Sequence, residues 1–169
     1  MTKNRKLFED VDERSDSTQA SSIETLLVEQ SSWLKIWLWT LLISLISLIL
    51  VGGWTRLTDS GLSIVEWKPL TGMIPPFSSE GWIVEFEKYK SIPEFKLVNF
   101  AITMDEFKFI YWWEWGHRQL ARFIGLVWFL GFLILWITKQ IPERWTLYFF
   151  GIGLLGALQA FLGWWMVSS

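Results

Sequence analysis

The chain has 169 residues, of which 51% are hydrophobic and 18% aromatic, and its formal net charge is only −2. A chain so close to neutral lacks the strongly basic surface that binds nucleic acid, so nucleic acid is excluded as a partner. The absence of cysteine excludes disulfides, iron–sulfur clusters and thiolate ligands within the chain. Long apolar runs in such a composition are typical of an integral membrane protein.

The first 32 residues form a polar segment with four basic and seven acidic side chains, serine-rich patches and few aromatic residues. This segment lacks the basic start, short apolar core and small-residue cleavage site of a signal peptide. Its composition predicts a disordered tail over residues 1–32 that lies at the membrane surface.

Three apolar runs follow within residues 33–169, and each approaches the ~20 residues that a helix needs to cross about 30 Å of hydrocarbon. Because the backbone must satisfy its own hydrogen bonds inside lipid, these runs predict an all-α membrane protein. The predicted spans are about 33–53, 107–137 and 146–167, with a long structured loop over 54–106 between the first two.

Lysine and arginine residues predict how the spans are oriented. The polar tail carries four of them, and the short connection between the second and third spans carries Lys139 and Arg144. Because positive residues near spans concentrate on the cytoplasmic side, the sequence predicts a cytoplasmic N-terminus and an outer position for loop 54–106.

The outer loop contains two helix signals. In "EGWIVEFEKYK", Trp82, Phe86 and Tyr89 recur at helical spacing among charged residues. This pattern predicts a short helix in the membrane interface with its aromatic side chains turned toward lipid. In "TMDE", Thr103 and Glu106 have the spacing of a capping box, which predicts that the second spanning helix begins directly after Thr103.

A polar stripe lies on one face of the second span, in the stretch "YWWEWGHRQLAR" and the residues after it. The spacing i, i+3, i+4, i+7, i+8, i+11 places its members on one helical face. A charge near the bilayer centre costs roughly 2.5–3.5 kcal/mol, so this face should turn toward protein or toward the outer interface. The stripe consists of Glu114, His117, Arg118, Ala121, Arg122 and Gly125.

The stripe has both a functional and a structural interpretation. An imidazole at His117 can ligate iron, Arg118 and Arg122 can pair with carboxylates such as haem propionates, and Glu114 can act as acid, base or nucleophile. The small residues leave room for a helix or a flat ligand. The spacing is equally compatible with a histidine that only bonds a neighbouring helix and an Arg118–Glu114 bridge at i, i+4.

Gln159 of the third span is a further candidate. It lies about eight residues before the outer end of its span, and His117 lies about eight residues after the start of the second span, so both are ~12 Å deep. Gln159 could therefore hydrogen-bond a ligand or His117, although an isolated bond between helices fits equally well.

Three stretches resemble the N-terminal part of haem A synthase, of the proteobacterial and mitochondrial type: "GGWTRLTDSGLSIVEWKPLTGMIPP", "EFKFIYWWEWGHRQLARFIGLVW" and "LQAFLGWWMVSS". The resemblance covers residues 33–169 in the same order. The lack of cysteine fits this type, because another branch of the family carries a cysteine pair in the first outer loop.

The resemblance implies a fold of eight transmembrane helices in two four-helix bundles. It implies an oxidoreductase that converts the C8 methyl group of haem O to a formyl group, giving haem A for cytochrome oxidases. One bundle holds substrate haem O and the other a haem b, each between two histidines. The implied setting is the inner membrane of a bacterium, or the mitochondrial inner membrane in a eukaryote. The implied partners are membrane lipids, haem O, haem O synthase (protohaem farnesyltransferase) and further copies of the chain.

Carried onto this sequence, the resemblance makes His117 an axial ligand of the haem iron and Glu114 the catalytic glutamate. Arg122, Arg118 and Arg56, the last at the outer end of span one, become candidates for the propionates. The chain stops after a third span, so it would be an incomplete four-helix bundle without the second axial histidine and is expected to be inactive alone. The alternatives are a haem-binding subunit like a b-type cytochrome and a purely structural membrane protein.

Overall fold

The computed structural model describes residues 32–68 and 71–168, and within these residues it is helical with no strand. The predicted disordered tail therefore lies outside the described residues apart from its last position. Three of the helices are long and apolar enough to cross a membrane, as the sequence predicts. The helices are α1 (Ser32–Leu57), α2 (Ser79–Ser91), α3 (Pro93–Leu97), α4 (Met104–Ile137) and α5 (Glu143–Ser168), with a single 3₁₀ turn at Thr71–Met73.

The ends of two helices follow from local chemistry. The capping box at the start of α4 is confirmed: the backbone N–H of Thr103 donates to Glu106 Oε2 at 2.8 Å, and the Glu106 N–H donates to Thr103 Oγ1 at 3.4 Å. Helix α1 extends to Leu57 rather than to the predicted residue 53. It ends where Asp59 adopts a positive φ of 47°, which breaks the right-handed helical path.

Helices α1 and α4 run antiparallel, and two close contacts fix their register. Gly131 of α4 lies under the ring of Trp37, so that a Cβ at this position would overlap the indole. The same indole donates from Nε1 to the carbonyl of Val127 at 2.9 Å. Nearer the other end, Gly52 of α1 lies against the imidazole of His117. The missing side chains of the two glycines let a large ring and a second backbone approach closely.

Helix α4 is longer than a bilayer is thick. Its 34 residues span about 51 Å at ~1.5 Å per residue, against about 30 Å of hydrocarbon. Counting back ~20 residues from Ile137 reaches His117, so the first turns of α4 project beyond the hydrocarbon. Tryptophans, which concentrate at membrane interfaces, mark both levels. We call the end of the spans near the 138–142 turn the turn side, and its tryptophans are Trp33, Trp136 and Trp145. We call the end near residues 58–103 the loop side, and its tryptophans include Trp54, Trp113 and Trp164.

The projecting turns of α4 carry an aromatic core. Tyr89 and Phe107 are fully buried with ring centroids 5.2 Å apart, and the ring of Trp82 lies 5.0 Å from that of Tyr111. Phe86 packs into the same cluster. The prediction that the aromatic residues of α2 face lipid was therefore wrong. They face α4, because its projecting end offers apolar surface that is otherwise exposed to water. We call residues 58–68 and 71–115 the loop-side subdomain.

Candidate functional site

Glu114 is the most buried polar residue of the predicted stripe, with 7% of its surface exposed. Oε2 accepts hydrogen bonds from Ser63 Oγ at 2.6 Å and from the backbone N–H of Ile64 at 2.9 Å. Oε1 accepts from Nε and Nη2 of Arg118 at 3.0 and 2.5 Å. A buried carboxylate needs such partners, and here the four donors hold it in a single orientation.

Arg118 completes a clamp between α4 and the segment after α1. Besides its bridge to Glu114, it donates from Nη2 to the carbonyl of Ile64 at 2.8 Å and from Nη1 to the carbonyl of Glu66 at 3.2 Å. The i, i+4 bridge that the sequence left open is therefore present. Together the two side chains fix the backbone of residues 63–66 over the carboxylate.

Two tight turns bring this segment back onto α4. Asp59 and Leu62 both have positive φ, 47° and 65°, so the chain reverses sharply after α1 ends. Between them, Ser60 is completely buried and shares a hydrogen bond with the Thr58 hydroxyl at 2.5 Å. The turns direct the Ser63 hydroxyl into the helix pair instead of into solvent. The sequence shows turn formers here, but spacing alone does not reveal that Ser63 reaches Glu114.

His117 is half-buried and faces helix α1. A Cβ at Gly52 would lie 3.0 Å from Nε2 and 3.4 Å from Cδ2 of the imidazole. The ring is therefore turned toward protein rather than lipid, as an intramembrane functional histidine should be. Gly52 was not predicted as a site residue. The Gly-Gly pair at the end of the first apolar run is the signal that could have indicated this close approach.

Farther along α4, two polar side chains bond backbone carbonyls at Lys68 and in the 3₁₀ turn. Arg122 donates from Nη2 to the carbonyl of Lys68 at 3.1 Å. Gln119 donates from Nε2 to the carbonyls of Met73 at 3.2 Å and Gly72 at 3.4 Å. Gln119 lies beside the stripe and was missed because a lone glutamine carries no specific signal.

The structure does not bring every predicted residue together. Glu114, His117, Arg118 and Arg122 line the region where α4 meets α1 and the loop. By contrast, the side chains of Arg56 and Gln159 are exposed on α1 and α5. Within residues 32–68 and 71–168 neither makes a hydrogen bond to the stripe.

The predicted stripe contains one side chain that can ligate haem iron, His117. Nowhere in the described part of the chain do three or more His, Cys, Asp or Glu side chains form a group that could hold a metal ion. The stripe thus offers a single imidazole, which is what one helix supplies to haem iron. A Cβ at Gly53 or Gly125 would meet nothing within 4 Å, so no other side chain of the described residues covers either glycine.

A cavity of about 350 Å³ adjoins the clamp on the loop side. It lies between α4, α2 and residues 64–68 and 71–76. Hydrogen bonds from Lys68 and Lys88 lower the pKa of the Glu66 carboxyl, which lines this cavity, from 4.5 to about 2. The charged and phenolic side chains in its wall are Glu66, Lys68, Glu85, Tyr111, Arg118 and Arg122.

Comparison with known proteins shows a match to a family profile. The COX15-CtaA profile, described as cytochrome oxidase assembly protein, matches residues 35–169. The chain is 48% identical over 175 residues to a haem A synthase of Dinoroseobacter shibae, covering 100% of this chain and 45% of the relative. It is 54% identical over 136 residues to a haem A synthase of Rhizobium etli, covering 80% of this chain and 37% of the relative.

A third relative, a haem A synthase of a Ruegeria species, is 48% identical over 171 residues, which cover 98% of this chain and 44% of the relative. The chain therefore spans less than half the length of these curated relatives. No solved structure matches the chain.

Proposed function

Because the chain belongs to the COX15-CtaA family of cytochrome oxidase assembly proteins, we propose that it forms the haem O-binding part of a haem A synthase. The proposed reaction oxidises the C8 methyl group of haem O to a formyl group. It removes four electrons and four protons, water supplies the oxygen atom, and an electron acceptor outside these residues takes up the electrons. The observation that carries this proposal is that two groups lie one helical turn apart on α4. They are the imidazole of His117, which is turned toward α1, and the buried carboxylate of Glu114.

His117 is proposed to hold the haem iron through a ring nitrogen. Bound haem O supplies the methyl group and a porphyrin that delocalises charge developing at the methyl carbon. The chain contains a single histidine, so the second axial ligand has to come from another chain or from another part of a longer protein. We therefore expect the 169 residues to bind haem weakly and to be inactive alone.

Glu114 is proposed to act on the positive charge that develops at the methyl carbon, either by electrostatic stabilisation or by covalent capture. Arg118 and Ser63 hold the carboxylate in place, so that no reorganisation is needed when charge develops. The segment 63–66 covers the carboxylate from the loop side and limits the access of bulk water. A low-dielectric, water-poor site strengthens the interaction between the carboxylate and a developing cation.

The propionates are assigned to arginines in the order Arg122, Arg118 and Arg56. Arg122 is supported best, because it lies in the wall of the cavity that adjoins the clamp. Arg118 already bridges Glu114, and the side chain of Arg56 is exposed. Gln159 is proposed only as a ligand contact from α5. Alanine variants of the three arginines should lower haem occupancy without unfolding the helices.

We also propose that the loop side faces away from the cytoplasm. Lys139 and Arg144 flank the turn between α4 and α5, and the basic residues of the tail are expected on the same side. In a bacterium this places the N-terminus in the cytoplasm and the clamp at the outer surface of the inner membrane.

The test of the proposal is Glu114→Gln in a full-length homologue that carries the same residues. Haem O should accumulate and haem A should fall. Ser63→Ala is the matched control, because it loosens the clamp on the same carboxylate oxygen while keeping the charge. Normal haem A output from Glu114→Gln would remove this residue from the mechanism. Equal losses in both variants would assign the effect to the clamp instead.

The half-buried imidazole also supports a second candidate, a haem-binding subunit without oxidase chemistry. Adding haem to the purified chain separates the candidates. A Soret band from the purified chain, together with no conversion of haem O by the full-length homologue, favours the b-type cytochrome. No Soret band in either protein favours a purely structural role.

A further inference from the structure

Residues 71–78, which join the 3₁₀ turn to α2, form a segment that contacts α4. Gln119 holds the carbonyls of Gly72 and Met73. This glutamine lies 15 residues after Met104 and 18 residues before Ile137, which is about 22 Å from one end of α4 and about 27 Å from the other. With about 30 Å of hydrocarbon measured from the turn side, the 3₁₀ turn lies at the hydrocarbon boundary.

A contact of Trp67, which precedes the segment, gives the same depth. The ring of Trp67 lies 6.3 Å from that of Trp164, edge to face. Trp164 belongs to the tryptophans that mark the loop-side interface. Trp67, four residues before the 3₁₀ turn, therefore lies at the level of the aromatic belt.

The segment displays apolar side chains that nothing in the described residues covers. Ile74 is 69% exposed and Phe77 is 83% exposed, and Met73, the last residue of the 3₁₀ turn, is 49% exposed. No charged residue occurs from Pro69 to Ser79. Leaving such side chains in water costs about 25 cal/mol per Å² of apolar surface, whereas a lipid leaflet accepts them.

We propose that the segment Met73–Phe77 inserts into the lipid leaflet on the loop side and anchors the loop-side subdomain to the bilayer. We assign the contact to phospholipid rather than to protein, because Gln119 and the Trp67–Trp164 contact place these exposed apolar side chains at the level of the aromatic belt. In this proposal Met73–Phe77, rather than α2, makes the contact with lipid that the sequence predicted for α2. Held at the membrane by Ile74 and Phe77 and on α4 by Gln119, the segment cannot move away from the clamp.

The loop-side subdomain also contains an exposed apolar side chain that should lie in water, which provides a matched control. Leu97 is 80% exposed, as apolar as Ile74 and also part of the loop-side subdomain. It lies at the end of α3, whose Phe95 packs against Phe86 and Tyr89 near the first turns of α4. Leu97 is thus about as exposed as Phe77 but belongs to the region that projects beyond the hydrocarbon.

The absence of native cysteine allows a direct test in the 169-residue chain. Ile74→Cys, Phe77→Cys and Leu97→Cys are each labelled with a nitroxide in phospholipid nanodiscs, with Ile49→Cys of α1 as the lipid reference. Relaxation by oxygen and by a water-soluble nickel complex is then measured. Labels at 74 and 77 should favour oxygen several-fold over nickel, as at 49, and the label at 97 should favour nickel.

Two outcomes would overturn the anchor. Labels at 74 and 77 that are as accessible to nickel as the label at 97 would place the segment in water. Immobile labels that neither oxygen nor nickel reaches would show that protein, such as a second copy of the chain, covers the segment instead of lipid.

Discussion

The loop-side subdomain and the membrane-spanning part of the same helices are built in opposite ways. The subdomain buries aromatic rings, including the fully buried Tyr89 and Phe107, and encloses a charged pair, Glu114 and Arg118. The most apolar stretch of α5 buries none of its residues, and those of α1 and α4 bury 6% each. A small cluster around Trp37 is the main buried contact of the spanning part.

This difference follows from the solvent of each region. In water the subdomain gains free energy by removing apolar surface from solvent, so its helices gather around the projecting end of α4. In lipid no such driving force acts between helices, and close packing and hydrogen bonds have to hold them. The glycines under Trp37 and against His117 are contacts of that second kind. Substitutions should therefore affect the two regions separately.

The largest effect is expected from Arg118→Ala, which should open the loop side alone. It leaves the Glu114 carboxylate buried without its cationic partner, and breaking a buried pair in this way costs about 3–5 kcal/mol. Hydrogen exchange of the backbone amides of residues 60–66 should become much faster, while the helical circular dichroism of the spans persists. Arg56→Ala, at an exposed arginine, is the control. Unchanged exchange at 60–66 would mean that the clamp does not hold the loop.

The corresponding change in the spanning part is Gly131→Ala. The added Cβ would overlap the Trp37 ring, and overpacking of this kind costs about 1–3 kcal/mol. The midpoint of thermal unfolding in detergent should fall. In Gly125→Ala, on the same helix, the Cβ meets nothing within 4 Å, so stability should rise slightly through the better helix propensity of alanine. Equal midpoints for both variants would refute the α1–α4 register.

Gly52→Ala tests the level at which the two regions meet. Its Cβ would lie 3.0 Å from His117 Nε2, so the imidazole has to shift by a few tenths of an ångström. Haem retention, measured by Soret absorbance in a full-length homologue, should weaken several-fold. Gly53→Ala places a Cβ in open space on the neighbouring residue and should retain haem normally. Identical retention in both variants would contradict the proposed role of His117.

The smallest effect is expected at Glu66, whose side chain is 42% exposed and contacts Lys68 and Lys88. Folding lowers its pKa from 4.5 to about 2, so its contribution to stability is present above pH 4.5 and is lost as the pH falls toward 2. Exposed pairs contribute about 0.2–1 kcal/mol each. Glu66→Gln should lower the unfolding midpoint at pH 7 but not near pH 2. A difference that persists at pH 2 would show that charge is not its cause.

Much of the helical framework could be predicted from local sequence. The capping box consists of four consecutive residues, Thr103 to Glu106, and it marks the start of α4. The three apolar runs mark the three long helices. The spacing of Glu114, His117 and Arg118 gave a shared face that does turn toward protein. Each of these features depends on residues within a few helical turns of one another, so the pattern contains the information.

The site's partners could not be predicted in the same way. Ser63 lies 51 residues from Glu114, and Gly52 reaches His117 only because α1 and α4 are antiparallel in one register. The aromatic spacing of α2 was read correctly as a helix face but assigned to the wrong partner. Apolar periodicity shows that a face is buried and does not distinguish lipid from protein.

The sequence by itself determined that this chain forms three apolar helices and carries one imidazole and one carboxylate on a single face of the second. Helical geometry and the cost of charge in hydrocarbon are local constraints that any such segment obeys. Only the tertiary structure decided that the carboxylate is clamped by a loop, that the imidazole meets a glycine and that α2 packs on α4. These contacts depend on chain reversals and helix lengths, which bring distant residues to the same depth.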